Sequence, residues 1–92
     1  SRLTKFGRRH VEATDQLSEW SRIMRRKHYR SHLDVRADFP RVDFDGPRRA
    51  IFNICGNAYR LVVDMRYDMG NVYIRHVVTH AEYERLMKRD LL

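Results

Sequence analysis

The sequence contains few of the residues on which several common classes of protein depend. Cys55 is the only cysteine among 92 residues, so neither an internal disulfide nor a zinc site built from cysteines can form. No apolar run approaches the roughly 20 residues of a membrane span, and no signal peptide is visible. We therefore expect a cytoplasmic protein without membrane contact, and we expect that a few native residues precede Ser1.

Glycine and proline, which interrupt helices and strands, are also scarce. The sequence has four glycines and two prolines, and it contains no linker, repeat or low-complexity stretch. A chain of this length is large enough for one small core. We therefore predict a single domain over residues 1–92.

Acidic residues are outnumbered by basic ones, with 19 Lys plus Arg against 12 Asp plus Glu and a net charge of +7. Such an excess favours a polyanionic partner, first of all a nucleic acid. An anionic membrane surface or an acidic protein would also satisfy the charge. Charge alone does not choose among them.

The segment from Ala50 to Tyr83 organises the fold, because it holds three runs of alternating apolar and polar residues separated by turn signals at Gly56-Asn57 and Met69-Gly70. The runs predict antiparallel strands over residues 50–55, 58–67 and 72–78. One face should be buried and carries Phe52, Ile54, Tyr59, Leu61, Val63, Met65, Val72, Ile74 and Val78. The opposite face should be polar and carries Asn53, Arg60, Asp64, Arg66, Tyr73, Arg75 and Thr79.

Helical spacing and capping signals predict the remaining elements. Two N-terminal helices should end near Ala13 and His28, and a short third helix should stop at Pro40. Thr79 and Glu82 fit a capping box that starts a last helix. The fold class is therefore α+β, with N-terminal helices packed on an antiparallel β-meander that a short C-terminal helix follows. The helical residues expected to be buried are Phe6, Trp20, Phe39, Leu86 and Met87.

One row of polar residues has the composition of a phosphate site. The expected pairing puts Asn53, Arg60 and Thr79 side by side, next to the N-terminus of the last helix. The planar fork of Arg60 matches a phosphate, and a helix N-terminus favours an anion. His80 and Tyr83 lie three apart on this helix, where an imidazole can accept a proton and a phenol can donate one. These groups suffice to cleave RNA by attack of its own 2′-hydroxyl without a metal.

Ordinary structural roles remain open for the same residues. His80 is also explained by a capping or surface role, Tyr83 by core packing, and Asn53 by a bridge between backbone groups. Arg75 opposite Asp64 is explained by a cross-strand ion pair. No histidine spacing supports a metal site, so we expect no metal and no other cofactor.

A second set of basic and aromatic residues is predicted to contact RNA. The second helix carries Arg22, Arg25, Arg26 and Lys27, which form either a solvated face or a basic surface that follows a polyanion backbone. The residues predicted to bind RNA are Arg75, Arg66, Tyr73, Arg25, Arg26 and Lys27.

The phrases FNICGNAYRLVV and YIRHVVTHAEY resemble a HigB-type toxin of the RelE superfamily, and the resemblance is specific over residues 48–84. It implies the toxin of a type II toxin-antitoxin system, a ribosome-dependent mRNA endonuclease that inhibits translation without a metal. Its partners would be mRNA, the ribosome and a cognate, HigA-like antitoxin with a helix-turn-helix. Operator DNA would be bound only through that antitoxin.

By the same resemblance, Arg60 matches the phosphate-stabilising arginine and Tyr83 the catalytic aromatic of the last helix. Asn53 stands where other members have a lysine, which leaves the general base open and directs attention to His80. The alternative function is a noncatalytic RNA- or ribosome-binding module on the same fold. A protein that only docks an acidic partner is a further alternative.

Overall fold

The fold is built on a four-stranded antiparallel sheet in the order β1-β2-β3-β4. The structure is a computed structural model that describes residues 2–92, so the expectation about the chain before Ser1 lies outside the described residues. The elements are α1 (Arg2–Arg9), α2 (Thr14–Arg26), α3 (His32–Asp38), β1 (Asp43–Asp45), β2 (Arg49–Ile54), β3 (Tyr59–Arg66), β4 (Asn71–Thr79) and α4 (His80–Lys88). The predicted α+β class is confirmed, and β1 adds a short edge strand to the three predicted strands.

The first two helices are shorter than the sequence predicted. α1 ends at Arg9 because the backbone of His10 leaves the helical region, and a 3-10 turn over Val11–Ala13 leads into α2. α2 ends at Arg26 and not at His28. None of the helices in residues 2–92 is long and apolar enough to cross a membrane.

Gly7 lets α1 and α2 approach closely. It is buried, and a Cβ at this position would lie 3.0 Å from Oγ1 of Thr14. That hydroxyl instead donates to the carbonyl of Gly7 at 3.2 Å. The two helices therefore form one layer over the sheet.

The sheet face under the N-terminal helices, called the core face here, has the predicted composition along β2 and β3. Phe52, Leu61 and Val63 are at most 2% exposed. Trp20 of α2 packs edge-on against Phe52, with ring centroids 5.6 Å apart. The predicted core is therefore confirmed here, but Met87 is 53% exposed. The burial predicted for Met87 was wrong because α4 lies across the opposite face and leaves this side chain in solvent.

The second hairpin differs from its predicted register. The loop spans four residues, so Asp64 lies opposite Tyr73 and not Arg75. A β-bulge then leaves Arg75 without a partner in the ladder. Beyond the bulge the alternation inverts, so Arg60 lies opposite Val78 and not Thr79. The predicted row therefore ends in Val78, which leaves the core face.

Leu61→Ala should lower the free energy of unfolding by about 2 to 5 kcal/mol, because truncating a buried leucine removes apolar contacts and leaves a cavity. Leu61 is fully buried on the core face. Chemical denaturation of the two proteins measures the difference. Leu33→Ala is the matched control, since Leu33 is 80% exposed and its truncation should change little. Equal stability of all three proteins would contradict the core assignment.

Candidate functional site

Arg60 is a buried cation on the sheet face opposite the core face, and we call this surface the Arg60 face. Only 8% of the residue is exposed. Nη1 donates to the carbonyls of Asn57 and Tyr59, both at 3.1 Å, and Nη2 donates to Oδ1 of Asn57 at 3.2 Å. No carboxylate in the described part of the chain forms an ion pair with it. Because a buried charge is costly unless paired, this position favours an anionic ligand.

Tyr83 of α4 lies over this guanidinium. Its ring centroid is 5.6 Å from Cζ of Arg60, which is within cation–π distance. Burial raises the pKa of the Tyr83 phenol above its ordinary value of 10.0, Asp43 and Asp45 raise it further, and Arg60 opposes them. The phenol therefore stays protonated at neutral pH and can donate a proton.

Asn53 is the neighbour of Arg60 on β2, as predicted from the first hairpin. Side chains that face each other across two strands have Cβ atoms about 5 Å apart. The carbonyl of Asn53 accepts from Nε2 of Gln16 at 3.5 Å, whereas its side-chain amide forms no hydrogen bond within residues 2–92. This amide is therefore available to a ligand beside Arg60.

The N-terminus of α4 is closed by the predicted capping box. Oγ1 of Thr79 accepts from the backbone N–H of Glu82 at 3.2 Å, and Oε1 of Glu82 accepts from the N–H of Thr79 at 3.1 Å. The N–H of His80 donates to the carbonyl of Ala58 at 3.0 Å. Two of the donors expected to hold an anion are thus occupied, and a carboxylate lies among them. Anion binding therefore depends on Arg60 more than on the helix terminus.

Glu82→Gln should reduce the loss of stability in acid. The backbone N–H of Thr79, followed by its hydroxyl, holds the pKa of the Glu82 carboxyl below its ordinary value of 4.5. The pKa is lower in the folded state, so the stabilisation is present above the unfolded-state value and is lost as pH falls through the folded-state value. The thermal unfolding temperature should therefore fall more steeply for the parent than for the variant between about pH 7 and about pH 3. Identical pH profiles would contradict this assignment.

Neither ring nitrogen of His80 is both exposed and unpaired. Its Nε2 lies 3.1 Å from Oε1 of Glu84, one turn along α4. Its Nδ1 is buried and has no hydrogen-bond partner within the described chain. In this conformation neither ring nitrogen can take a proton from a ligand. A role as base requires the ring to turn away from Glu84, and it stays a prediction.

Arg75 takes the ion-pair role that the sequence left open. Nη1 lies 3.3 Å from Oδ2 of Asp64, and Nη2 donates to the carbonyl of Leu92 at 2.9 Å. Arg49 shares the same carboxylate, with Nε 3.5 Å from Oδ1 of Asp64. The bulge brings Arg75 to this partner although the two are not opposite each other in the ladder. Its role in RNA binding stays a prediction.

Arg66 and Tyr73 lie far along the sheet from Arg60. Arg66 is six residues from Arg60 on the same strand, which corresponds to about 20 Å. Its Nε lies 3.6 Å from Oδ1 of Asp68, whereas Tyr73 is 50% exposed. The structure therefore brings Asn53, Arg60 and Tyr83 together but leaves this pair at the other end of β3.

Arg25, Arg26 and Lys27 belong to a different layer of the molecule. They lie at the C-terminal end of α2, where Lys27 is the capping residue. This helix covers the core face, whereas Arg60 lies on the opposite face. Lys27 forms an ion pair with Asp38, and Arg25 and Arg26 are exposed without one among residues 2–92. The predicted RNA-binding residues therefore form at least two separate surfaces.

Three residues that shape the site were missed from the sequence. Asn57 holds the guanidinium of Arg60, Glu84 holds the ring of His80, and Asp43 acts on the phenol of Tyr83. The spacing of four between His80 and Glu84 was a visible signal for a helical pair. The effect of Asp43 depends on packing between distant segments and has no local signal.

The helices, the antiparallel sheet and the C-terminal helix with its tyrosine over a buried arginine define a RelE-like protein. The family model of the HigB toxin, described as the RelE-like toxic component of a toxin-antitoxin system, matches residues 13–86. The chain belongs to this family, and an antitoxin partner follows from that membership. A search of curated proteins finds no match.

Proposed function

We propose that this toxin is a ribosome-dependent mRNA endoribonuclease that inhibits translation. The observation that carries the proposal is Arg60, a buried guanidinium without an acidic partner in the described chain and with the Tyr83 ring above it. A scissile phosphate supplies the missing negative charge, and its oxygens match the planar donor fork. The proposal therefore assigns Arg60 to the phosphate of the bound mRNA.

The proposed reaction uses the RNA itself as nucleophile. The 2′-hydroxyl oxygen attacks the adjacent phosphorus and its proton passes to a base, while the bond from phosphorus to the 5′-oxygen breaks. Tyr83 donates its proton to that leaving oxygen, and the product ends in a 2′,3′-cyclic phosphate. Arg60 stabilises the negative charge that grows on the phosphoryl oxygens. Each proton and bond is accounted for by the RNA, the protein and the base, so the proposal includes no metal.

The base takes the proton of the 2′-hydroxyl. His80 can accept a proton once its ring leaves Glu84, and we propose it in that role. The neutral amide of Asn53 is a poor base but can hold the 2′-hydroxyl by a hydrogen bond. Binding of mRNA beside Arg60 would place the substrate near both side chains.

The proposed partners follow from the same function. The antitoxin would be HigA-like, carry a helix-turn-helix and be acidic where it meets this basic toxin. Operator DNA would be bound only through the antitoxin, and the complex would act in the cytoplasm.

A noncatalytic RNA- or ribosome-binding module is the second candidate. The contact of Glu84 with Nε2 of His80 and the burial of Nδ1 favour it, since neither ring nitrogen is exposed and unpaired in this structure. Single-turnover incubation with mRNA on programmed ribosomes, with a chelator present, separates the two functions. Cleavage products that end in a cyclic phosphate support the nuclease. Ribosome binding without cleavage supports the module.

A further inference from the structure

The positive charge of this protein is concentrated away from Arg60. Residues 1–30 contain 9 Lys plus Arg and 3 Asp plus Glu, a net of 9 − 3 = +6. Residues 31–92 contain 10 and 9, a net of 10 − 9 = +1. Almost all of the net +7 therefore belongs to the segment that forms α1 and α2 over the core face. A polyanion attracted by this charge would meet the helical layer first, although the α1 end of that layer borders His76 and Val78 at the β4 edge.

A groove between α1 and α2 is lined by three of these basic residues. Its volume is about 630 Å³, and no acidic side chain from the described residues lines it. Its floor contains Gly7, which allows the close approach of the two helices. The polar side chains that line it and carry the argument are Arg8, Ser18, Ser21, Arg22 and Arg25.

Four polar α2 residues of the groove lie on one strip of that helix. Ser21, Arg22 and Arg25 follow Ser18 by three, four and seven residues, which is one helical face. Arg22 pairs with Glu19, whereas Arg25 forms no ion pair among the described residues. The hydroxyls of Ser18 and Ser21 form no hydrogen bond within residues 2–92. The strip therefore presents the donors of Ser18, Ser21 and Arg25 in a row, with Arg22 held by Glu19 between them.

Arg8 completes the groove from the α1 side. It is exposed and forms no ion pair within the described chain. Arginine together with serine hydroxyls is the typical donor set for the sugar–phosphate backbone of nucleic acids. An acidic protein segment is less well matched, since the groove offers a line of cations and hydroxyls with no buried aromatic anchor of the kind that dominates protein interfaces.

We propose that the α1–α2 groove binds the phosphate backbone of a structured RNA, at a site separate from Arg60. If the proposed function holds, this RNA belongs to the ribosome, and the groove docks the toxin while the Arg60 face acts on mRNA. RNA binding by the groove does not itself depend on that function. The groove site sets affinity and salt dependence, and the Arg60 site sets the rate of cleavage.

The test compares two charge-matched triple variants with an RNA hairpin of about 16 base pairs as probe. The groove variant carries Arg8→Gln, Arg22→Gln and Arg25→Gln. The control variant carries Arg41→Gln, Lys88→Gln and Arg89→Gln, three exposed cations for which no side-chain hydrogen bond or ion pair is seen among residues 2–92. Fluorescence anisotropy at several salt concentrations gives the slope of log K against log[salt], and thermal unfolding checks that both variants fold.

The groove variant should lose about 2 to 3 from the magnitude of that slope, because each phosphate contact contributes about 0.7 to 0.9. The control variant should keep the parent slope within about one. Ser18→Glu should also weaken RNA binding relative to the parent, because it places a carboxylate in the groove without removing any cation. This single variant replaces the triple variant in the test if the triple variant is unstable. Equal losses in the groove and control variants would overturn the proposal.

Two further outcomes separate this inference from its alternatives. Groove-dependent RNA binding by a protein that never cleaves mRNA would support the groove site and contradict the proposed function. A groove variant that binds RNA normally but no longer binds the purified antitoxin would overturn the RNA assignment and identify the groove as a protein interface.

Discussion

Arg60→Ala should lower the single-turnover rate of mRNA cleavage on ribosomes by about 10² to 10³. Losses of this size are typical when one electrostatic donor to a developing oxyanion is removed. Arg60 is buried without an acidic partner in the described chain, so its charge is available to the phosphate at the moment when the phosphoryl oxygens become more negative. Growth inhibition by the expressed toxin should disappear for the same reason.

Two companion variants make this result specific. Arg60→Lys keeps the charge but loses the planar fork that also donates to Asn57, and its rate should fall between those of the parent and the alanine variant. Arg66→Ala removes an arginine from the same strand, about 20 Å away, and should cleave at the parent rate. Parent-like cleavage by a folded Arg60→Ala protein would contradict the assignment of Arg60 to the phosphate.

Tyr83→Phe should lower the cleavage rate by about 10² to 10⁴, the usual range for loss of a proton-transfer partner. The substitution removes only the hydroxyl and leaves the ring over the guanidinium of Arg60, so packing and the cation–π contact are retained. The raised pKa of the Tyr83 phenol keeps its proton in place until the leaving oxygen needs it. Tyr73→Phe is the control, because Tyr73 is exposed at the far end of the sheet and should have no effect on the rate.

His80→Ala and Glu84→Gln test the other half of the acid–base pair. If His80 is the base, its removal should lower the rate by as much as Tyr83→Phe does. Glu84→Gln weakens the contact that occupies Nε2 of His80, so the ring can turn more easily and the rate should be preserved or raised. Ribosome binding should survive in all of these proteins. Full activity in both His80→Ala and Tyr83→Phe would remove the acid–base pair and leave Arg60 and the positioned RNA as the source of catalysis.

Local sequence determined the features that depend only on contacts between residues close together in the chain. The start of α4 follows from Thr79 and Glu82, which are three residues apart and satisfy each other's backbone donors. The pairing of Asn53 with Arg60 follows from the short turn at Gly56-Asn57, which leaves little freedom in register. Alternation along β3 then placed Arg60 on the face opposite Leu61. These predictions hold because each depends on residues close together in the chain.

In the second hairpin, the alternation of apolar and polar residues no longer predicts which face of the sheet a side chain lies on. A bulge at Arg75 inverts the faces of every later residue of β4, so Val78 joins the Arg60 face and Val77 packs against the core. Periodicity cannot reveal one extra residue in a ladder, because the apolar pairs on both sides of the bulge look equally regular. The site row predicted to end in Thr79 failed for this reason.

The contacts that each candidate side chain makes were decided only by the tertiary structure. Sequence spacing allowed His80 to face either Tyr83 or Glu84, and packing of α4 selected Glu84. The absence of an acidic partner for Arg60 depends on where every carboxylate of the described chain lies. By itself, the sequence determined the fold class, the Arg60 face and the excess of positive charge. The three-dimensional packing decided that most of this charge lies on the helical layer, with the α1 end of that layer beside Val78 at the β4 edge, because distances between remote segments are set by tertiary contacts.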